Sequence, residues 1–196
     1  MLTQLATVKA RLGLLESDTQ YDALLTGAIG AFSARFDREC NRVFARTVGA
    51  TQEFPGGEIE IPVCCYPIET VTKFELKASE SAGWVEQTAV QYLVRAKCVV
   101  SLPVPLSPVR SSAALARVTY TGGYVLPGTI PGTGQTTLPV DLEHAAVEQV
   151  AFWFERKDTP GVIRIWPSGG NYMQLVDTDL MPAVRAVLRR HTRFSV

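Results

Sequence analysis

The sequence predicts an α+β protein: a helical bundle formed by the N- and C-terminal segments, with an inserted antiparallel β-sandwich or barrel-like region. Near both ends of the chain, apolar residues recur every three to four positions, which is typical of amphipathic helices. In the middle, short alternating or β-branched runs are separated by Gly and Pro. We therefore divide the chain into an N-terminal helical part of the core at 1–42, an inserted β region at 43–124, and a long loop with the C-terminal helical part at 125–196.

The N-terminal part predicts two helices. Thr3 is placed to cap a short helix that ends at Gly13, where a left-handed residue terminates a helix at low cost. A longer helix follows, with N-cap oxygens offered by 17–19 and apolar residues along one face: Tyr21, Leu24, Leu25, Ala28, Ile29, Phe32 and Phe36.

The other side of the longer helix carries a stripe of small residues at helical spacing: Ala23, Gly27, Gly30 and Ala34. Small side chains let another backbone approach closely. We expect this small stripe to be an oligomer interface.

The β region contains several candidate strands with turn residues between them. Positions 58–61 alternate, positions 71–76 are β-branched and aromatic, and shorter runs follow: 84–85, 92–94, 98–102 and 116–120. Turns such as Pro55-Gly56-Gly57 punctuate the region at intervals typical of a small antiparallel sandwich.

A segment rich in Gly, Pro and Thr follows at 122–139, and it is longer than most loops of a compact domain. Two interpretations stay open: a solvent-exposed connector, or an assembly loop that orders only against a partner. The glycines assigned to the assembly loop are Gly122, Gly123, Gly128 and Gly134.

Two more helices are predicted after this segment. Asp141 is placed to cap a helix over 142–157. This helix is apolar around nearly its whole circumference, so we expect a neighbouring subunit to cover part of it. Phe152 and Trp153 are assigned to that interface. Asp179 is placed to cap the last helix, and Pro182 is tolerated in its first turn.

The last helix ends in a basic cluster. Arg185, Arg189 and Arg193 follow each other at four-residue spacing and predict one ridge, with Arg190 beside it, and 185–196 contains no acid. The cations either complement the helix dipole or form a docking tail for an acidic groove or nucleic acid. In the second interpretation, Phe194 and Val196 are apolar anchors.

Composition and motifs argue against most other classes. The chain has 196 residues, is 46% hydrophobic, and balances 19 Lys and Arg against 19 Asp and Glu, so no global basic field favours nucleic acid. We expect no membrane span and no secretory signal. The four cysteines lack CxxC spacing, which predicts reduced thiols. His144 and His191 are the only histidines in the sequence, so we expect no catalytic triad and no metal or cofactor site.

Several segments resemble the head-tail connector, or adaptor, proteins of tailed bacteriophages. The N-terminal segments are Leu5–Leu14, Asp22–Leu25, Ala31–Ala34 and Cys40–Phe44. The later ones are Arg117–Tyr124, Leu138–Leu142, a helix with Glu148 and Trp153–Arg156, and the basic terminal helix. The order of these segments, rather than any single motif, carries the resemblance.

The resemblance implies a structural virion protein that is not an enzyme and needs no cofactor. It implies a homo-oligomeric ring of about twelve subunits below the phage portal protein. The ring would extend the DNA channel, through which genomic DNA passes without specific binding. An adjacent neck or tail protein, a stopper or tail terminator, would bind its other side. Assembly in the host cytoplasm would end with the ring in the virion neck.

In this family the C-terminal segment commonly contacts the portal, so the resemblance implies a portal-binding set: Arg185, Arg189, Arg190, Arg193, Phe194 and Val196. Two alternatives stay open. One is a neck or tail-completion protein that does not contact the portal. The other is a β-sandwich module that recognises a glycan or peptide on Trp84, Tyr92 or Trp166, although aromatics in such strands are more often core residues.

Overall fold

A computed structural model describes residues 1–107, 114–157 and 179–193 and confirms the α+β class. Over these residues the chain forms four helices and seven strands in two compact units. The helical unit comprises 1–40, 139–157 and 179–192, whereas the β unit comprises 41–107, 114–138 and Arg193. Residues 125–138 thus belong with the strands, although the sequence-based division grouped them with the C-terminal helices.

The first helix, α1, spans Leu5–Leu12 and ends at Gly13 as predicted. Gly13 has φ 68°, and its N–H donates to the carbonyl oxygen of Ala10. The predicted Thr3 cap is wrong. Gln4 occupies the N-cap position without a side-chain hydrogen bond, and the Thr3 hydroxyl is buried without a partner.

The second helix, α2, spans Asp22–Glu39 and also begins without the predicted cap. Tyr21 occupies its N-cap position, and residues 17–19 precede the helix by too much to reach its first N–H groups. The Asp18 carboxylate accepts instead from the N–H of Gln20, within the loop itself.

A buried lysine holds that loop in place. Lys9 is 3% exposed, and its Nζ donates to the carbonyl oxygens of Glu16 and Asp18 and to the Asp22 carboxylate at 2.5–2.9 Å. The ammonium therefore replaces its lost hydration with three protein acceptors. Through these contacts the end of α1 fixes the start of α2.

The third helix, α3, spans Val140–Glu155, and Pro139 occupies its N-cap position. The predicted Asp141 cap is therefore wrong, since Asp141 lies in the first turn, where its carboxylate accepts from the N–H of Leu142 at 2.9 Å. The fourth helix, α4, spans Pro182–His191, and Pro182 begins it as predicted.

The core of the helical unit forms where α3 packs against the other helices. It consists of apolar side chains from α1, α2 and α3: Val8, Leu25, Ala28, Ile29, Val147, Val150 and Phe154. Edge-to-face contacts join Tyr21 to Phe154, with ring centroids 5.1 Å apart, and Phe32 to Trp153 at 6.5 Å. The α3 surface is thus covered largely by helices of the same chain.

The β unit contains two antiparallel sheets. The larger has the order β1-β7-β3-β4, from Thr47–Pro55, Leu115–Gly122, Ile68–Lys77 and Val85–Gln87. The smaller has the order β2-β6-β5, from Glu60–Pro62, Val99–Ser101 and Leu93–Arg95. Sequence reasoning missed β1, which pairs along β7.

Side chains from both sheets share one apolar core, as expected of a sandwich. Its members include Phe54, Ile61, Phe74, Val100, Val118 and Tyr120. Register places Tyr120 between Ala50 of β1 and Val71 of β3, and its hydroxyl accepts from the N–H of Cys65 at 3.0 Å. Tyr120 therefore joins the large sheet to the segment between β2 and β3.

We predict that Lys9→Met lowers the free energy of unfolding by about 1–3 kcal/mol, because three part-buried acceptors lose their donor while the unbranched stem is kept. Urea denaturation at neutral pH measures this loss. Arg11→Met is the matched control on α1: Arg11 is exposed and pairs with Glu148, so its loss should be smaller. Equal losses would contradict a special role for Lys9.

Candidate docking surface

The structure places three of the predicted portal-binding residues on α4, where all three are exposed: Arg185, Arg189 and Arg190. The predicted anchors Phe194 and Val196 lie outside the described residues.

The sequence predicted that Arg185, Arg189 and Arg193 form one ridge on the last helix, and this prediction is wrong for Arg193. Helix α4 ends at His191, because Thr192 adopts an extended backbone with φ −68° and ψ 131°. Arg193 therefore does not continue the ridge. It belongs to the β unit, where its Nη2 donates to the carbonyl oxygen of Pro62 at 2.7 Å.

A basic groove follows the C-terminal end of α2, and its second part lies between α2 and α4. Its first part has a volume of about 540 Å³ and is lined, among the described residues, by Arg35, Arg38 and Glu39 of α2. Its second part, of about 290 Å³, has a lining shared between the two helices: Glu39, Arg185, Leu188, Arg189 and Thr192. Because Glu39 lines both parts, we describe them together as the α2–α4 groove.

Sequence reasoning missed the α2 side of this groove. Arg35 and Arg38 are three residues apart and therefore neighbours on the helix surface. This spacing predicts a basic patch on the helix surface, but the apolar face and the small stripe are the more prominent patterns of the same helix. The basic surface is therefore built from two helices rather than from the C-terminal helix alone.

Asp179 connects the two walls of the groove. Its carboxylate contacts the guanidinium groups of both Arg35 and Arg185. It also accepts from the N–H of Leu180 at 2.8 Å, which fixes its orientation. The predicted cap at Asp179 is wrong, since α4 begins later, at Pro182. Its role is an ion-pair bridge between α2 and α4.

Three contacts hold α4 against the rest of the helical unit. The buried Gln149 side chain of α3 accepts from the N–H of Met181 at 2.9 Å. The thiol of Cys40 lies 3.5 Å from the carbonyl oxygen of Leu188. At the far end of α4, His191 Nε2 lies 3.0 Å from Asp141 Oδ2. These contacts fix the α4 arginines relative to α2.

The electrostatics of Asp141 reflect this last contact. Partial burial opposes ionisation of the carboxyl, but the hydrogen bond and charge of His191 outweigh it, so the pKa of Asp141 is lowered. The carboxylate form therefore persists to lower pH than in an unfolded chain, and the contribution of Asp141 to stability is lost only as the pH falls through the lowered value.

The small stripe of α2 is open to solvent in the isolated chain. Ala23, Gly27 and Ala34 are exposed and Gly30 is half-buried. A Cβ atom added at Gly27 or Gly30 would meet no atom within 4 Å. No part of the described chain therefore uses the close approach that these residues permit, and an oligomer interface here stays a prediction.

The expectation for α3 is changed by the structure. Helices α1, α2 and α4 all pack against it, so most of its apolar surface needs no neighbouring subunit. Phe152 and Trp153 remain half-buried. The guanidinium of Arg156 lies 3.7 Å from the centre of the Phe152 ring. Their assignment to an interface stays a prediction.

Two of the predicted assembly-loop glycines have a structural role inside the β unit. Gly122 is the last residue of β7, and a Cβ there would approach the carbonyl oxygen of Cys65 to 2.4 Å. Gly123 has φ 100°, and a Cβ would lie 2.6 Å from the carbonyl oxygen of Ala45. These glycines are required because neighbouring backbone segments pack directly against them.

The remaining part of the predicted loop is tied back to the β unit. The N–H of Val125 donates to the carbonyl oxygen of Thr136, and that of Leu138 donates back to Val125. Gly128 and Gly134 have positive φ and lie within the excursion that these bonds close. The side chain of Ile130 in the same excursion is 91% exposed.

The described residues contain no group of three or more His, Cys, Asp or Glu that could hold a metal ion. The four cysteines are free thiols, and burial raises the pKa of the Cys65 thiol, which opposes a nucleophilic role. No helix in the described part of the chain is long and apolar enough to cross a membrane.

The aromatic residues proposed as a recognition platform are engaged within the β unit. Arg117 lies 4.2 Å from the centre of the Trp84 ring. The ring of Tyr92 packs against Phe74 with centroids 5.7 Å apart. Trp166 lies outside the described ranges. Trp84 is half-buried and Tyr92 remains 39% exposed, so their role as a recognition platform stays a prediction.

Solved structures share this fold over nearly the whole chain. One match is in the virion of a native gene transfer agent (GTA) particle, with TM-score 0.59 and 18% identity, covering 97% of this chain and 89% of that chain. A second is in the neck of an empty GTA particle computed with C6 symmetry, with TM-score 0.58, 17% identity and the same coverage.

A third match is in the neck of the native GTA particle computed with C12 symmetry, with TM-score 0.51 and 17% identity, covering 98% of this chain and 89% of that chain. At these identities the likeness shows a common fold. No protein-family model and no curated protein matches the sequence.

We predict that Gly30→Leu leaves the subunit folded, with unchanged or slightly raised stability, because the added side chain meets open space and leucine favours helix by up to about 1 kcal/mol. If the small stripe is an interface, the same change abolishes self-association in sedimentation velocity. Ala183→Leu, at an exposed position of α4, is the control. Unaltered association of the Gly30→Leu variant would exclude the stripe.

Proposed function

We propose that this chain is a structural subunit of the neck of a phage-like virion, where it acts as a head-tail connector rather than as an enzyme. The observation that carries the proposal is the fold shared with GTA neck proteins over 97% of the chain. The order of connector-like segments along the sequence supports it independently of the fold.

The proposed assembly is a ring of about twelve copies. The similar chains come from necks computed with C6 and C12 symmetry, and both symmetries are compatible with such a ring. The open small stripe on α2 supplies a surface on which a second copy could approach closely. In this assembly, contacts between copies would repeat around the ring and close it.

The proposed position is directly below the portal protein, with a stopper or tail terminator on the opposite side. Arg185, Arg189 and Arg190 are exposed and offer positive charge to the portal. Arg193 and the anchors Phe194 and Val196 complete the proposed portal-binding set. The ring would continue the DNA channel from head to tail, and it would assemble in the host cytoplasm.

A conducting channel should not hold the DNA that passes through it. Each neutralised phosphate adds salt-dependent affinity, so several strong contacts per subunit would slow ejection. The formal net charge of zero agrees with a channel that binds DNA weakly. Nothing in this role requires a cofactor or a specific base contact.

We predict that the protein binds to filled heads carrying portal, and that Phe194→Ala weakens this attachment strongly, because a buried aromatic anchor contributes about 2 kcal/mol or more. Changing Arg189, Arg190 and Arg193 together to Gln should weaken it less and reduce its salt dependence. Co-sedimentation with purified heads measures both. If a chain lacking 192–196 attaches with full affinity, the arginines only complement the helix dipole and the contact lies elsewhere, with the segment 122–139 as the next candidate.

We also predict weak DNA binding. Fluorescence anisotropy with a duplex of random sequence should give a dissociation constant of roughly 10⁻⁶ to 10⁻⁴ M at physiological salt, in the non-specific range. Tight binding that distinguishes one sequence from another would contradict the connector proposal and favour a regulatory protein.

A further inference from the structure

The α2–α4 groove contains two pairs of arginines that differ in their partners. Arg35 and Arg185 share the carboxylate of Asp179. Arg38 lines the first part of the groove and Arg189 the second, and both are exposed. Among the residues that the structure describes, neither has a carboxylate within ion-pair range. Within the described part of the chain, one pair therefore has a carboxylate partner and the other has none.

The two pairs follow each other along the groove. Arg38 lies three residues after Arg35, and Arg189 lies four residues after Arg185, so each step is about one helical turn, or about 5 Å along the axis. Along the groove, α2 and α4 run in the same chain direction. Cys40, beyond Arg38 on α2, contacts Leu188 of α4, whereas Asp179 joins the earlier Arg35 and Arg185.

Asp179 identifies the chemistry that this groove recognises. A single carboxylate lies between one guanidinium from each helix, and planar guanidinium groups bind carboxylates through paired N–H donors. The second pair offers the same groups one turn further on. Among the described residues, no carboxylate lies within ion-pair range of this second pair.

We infer that Arg38 and Arg189 bind an aspartate or glutamate side chain from an acidic peptide segment of the protein ring to which this chain docks. The segment would lie along the α2–α4 groove and continue the line of negative charge that Asp179 begins. The identity of the occupant as part of an adjoining ring rests on the proposed neck function.

Glu39 distinguishes an acidic peptide from nucleic acid. Its carboxylate lines both parts of the groove and is held near Arg35, with Nε 3.6 Å from Oε1. A DNA backbone carries one charge per about 1.7 Å of helix axis, so it would bring phosphates against Glu39 at any register. A peptide can place single carboxylates at Arg38 and Arg189 and leave a neutral residue opposite Glu39.

The experiment uses the full chain and a fluorescein-labelled peptide of alternating Glu and Gly, with binding followed by anisotropy at low salt. Changing Arg38 and Arg189 together to Gln should weaken binding about tenfold, since exposed pairs contribute little individually. Glu39→Gln should tighten it a few-fold by removing the competing carboxylate. Arg95→Gln is the matched control, because Arg95 is an exposed arginine of the β unit that neither lines the groove nor belongs to the proposed portal-binding set, and it should change affinity little.

Several outcomes would overturn the inference: no binding to the unchanged chain, equal binding of the peptide with Gln in place of Glu, an equal loss with Arg95→Gln, or displacement of the peptide by duplex DNA at the same phosphate concentration. All substitutions are at exposed positions, and thermal unfolding by circular dichroism checks that the variants are folded.

Attachment to portal-bearing heads separates this inference from the proposed function. If the peptide does not bind but the chain still attaches to heads, the groove inference is wrong and the neck function stands. If the peptide binds in the expected pattern but the chain attaches to no head, the groove recognises acidic segments and the proposed neck function is wrong.

Discussion

The burial of α3 is the constraint on which the helical unit depends. This helix is apolar on nearly every side, and it is covered by α1 and α2 from the N-terminal segment and by α4 from the C-terminal segment. Burial of apolar surface is the dominant favourable term in folding. It therefore brings together two parts of the chain that the whole β unit separates in sequence, and the α2–α4 groove exists because they meet.

One of the contacts that align this groove is a buried polar one. Gln149 is 2% exposed on α3, and its side-chain oxygen accepts from the N–H of Met181. A buried amide requires such a partner, because an unsatisfied polar group in the core is costly. The bond fixes the chain immediately before α4 and holds Asp179 where it reaches Arg35 and Arg185. The basic surface thus follows from a core interaction.

Periodicity predicted the helices and most strands, whereas features set by tertiary contacts escaped it. The caps predicted at Thr3, at 17–19, at Asp141 and at Asp179 lie near helix starts without capping them. Strand β1 was missed because few of its side chains are buried and its pairing with β7 holds it in place. The groove joins residues about 150 positions apart, which no local pattern can reveal.

An ion pair formed by an exposed arginine contributes little to binding and weakens as salt is added. This applies to the contacts proposed for Arg38 and Arg189. In a ring of the proposed kind, every subunit presents the same groove, so each contact after the first forms within an already docked complex. Its effective concentration then far exceeds that of free partners, and avidity multiplies without any new contact. A ring can therefore attach firmly through grooves that bind weakly, while a lone subunit stays free until the ring forms.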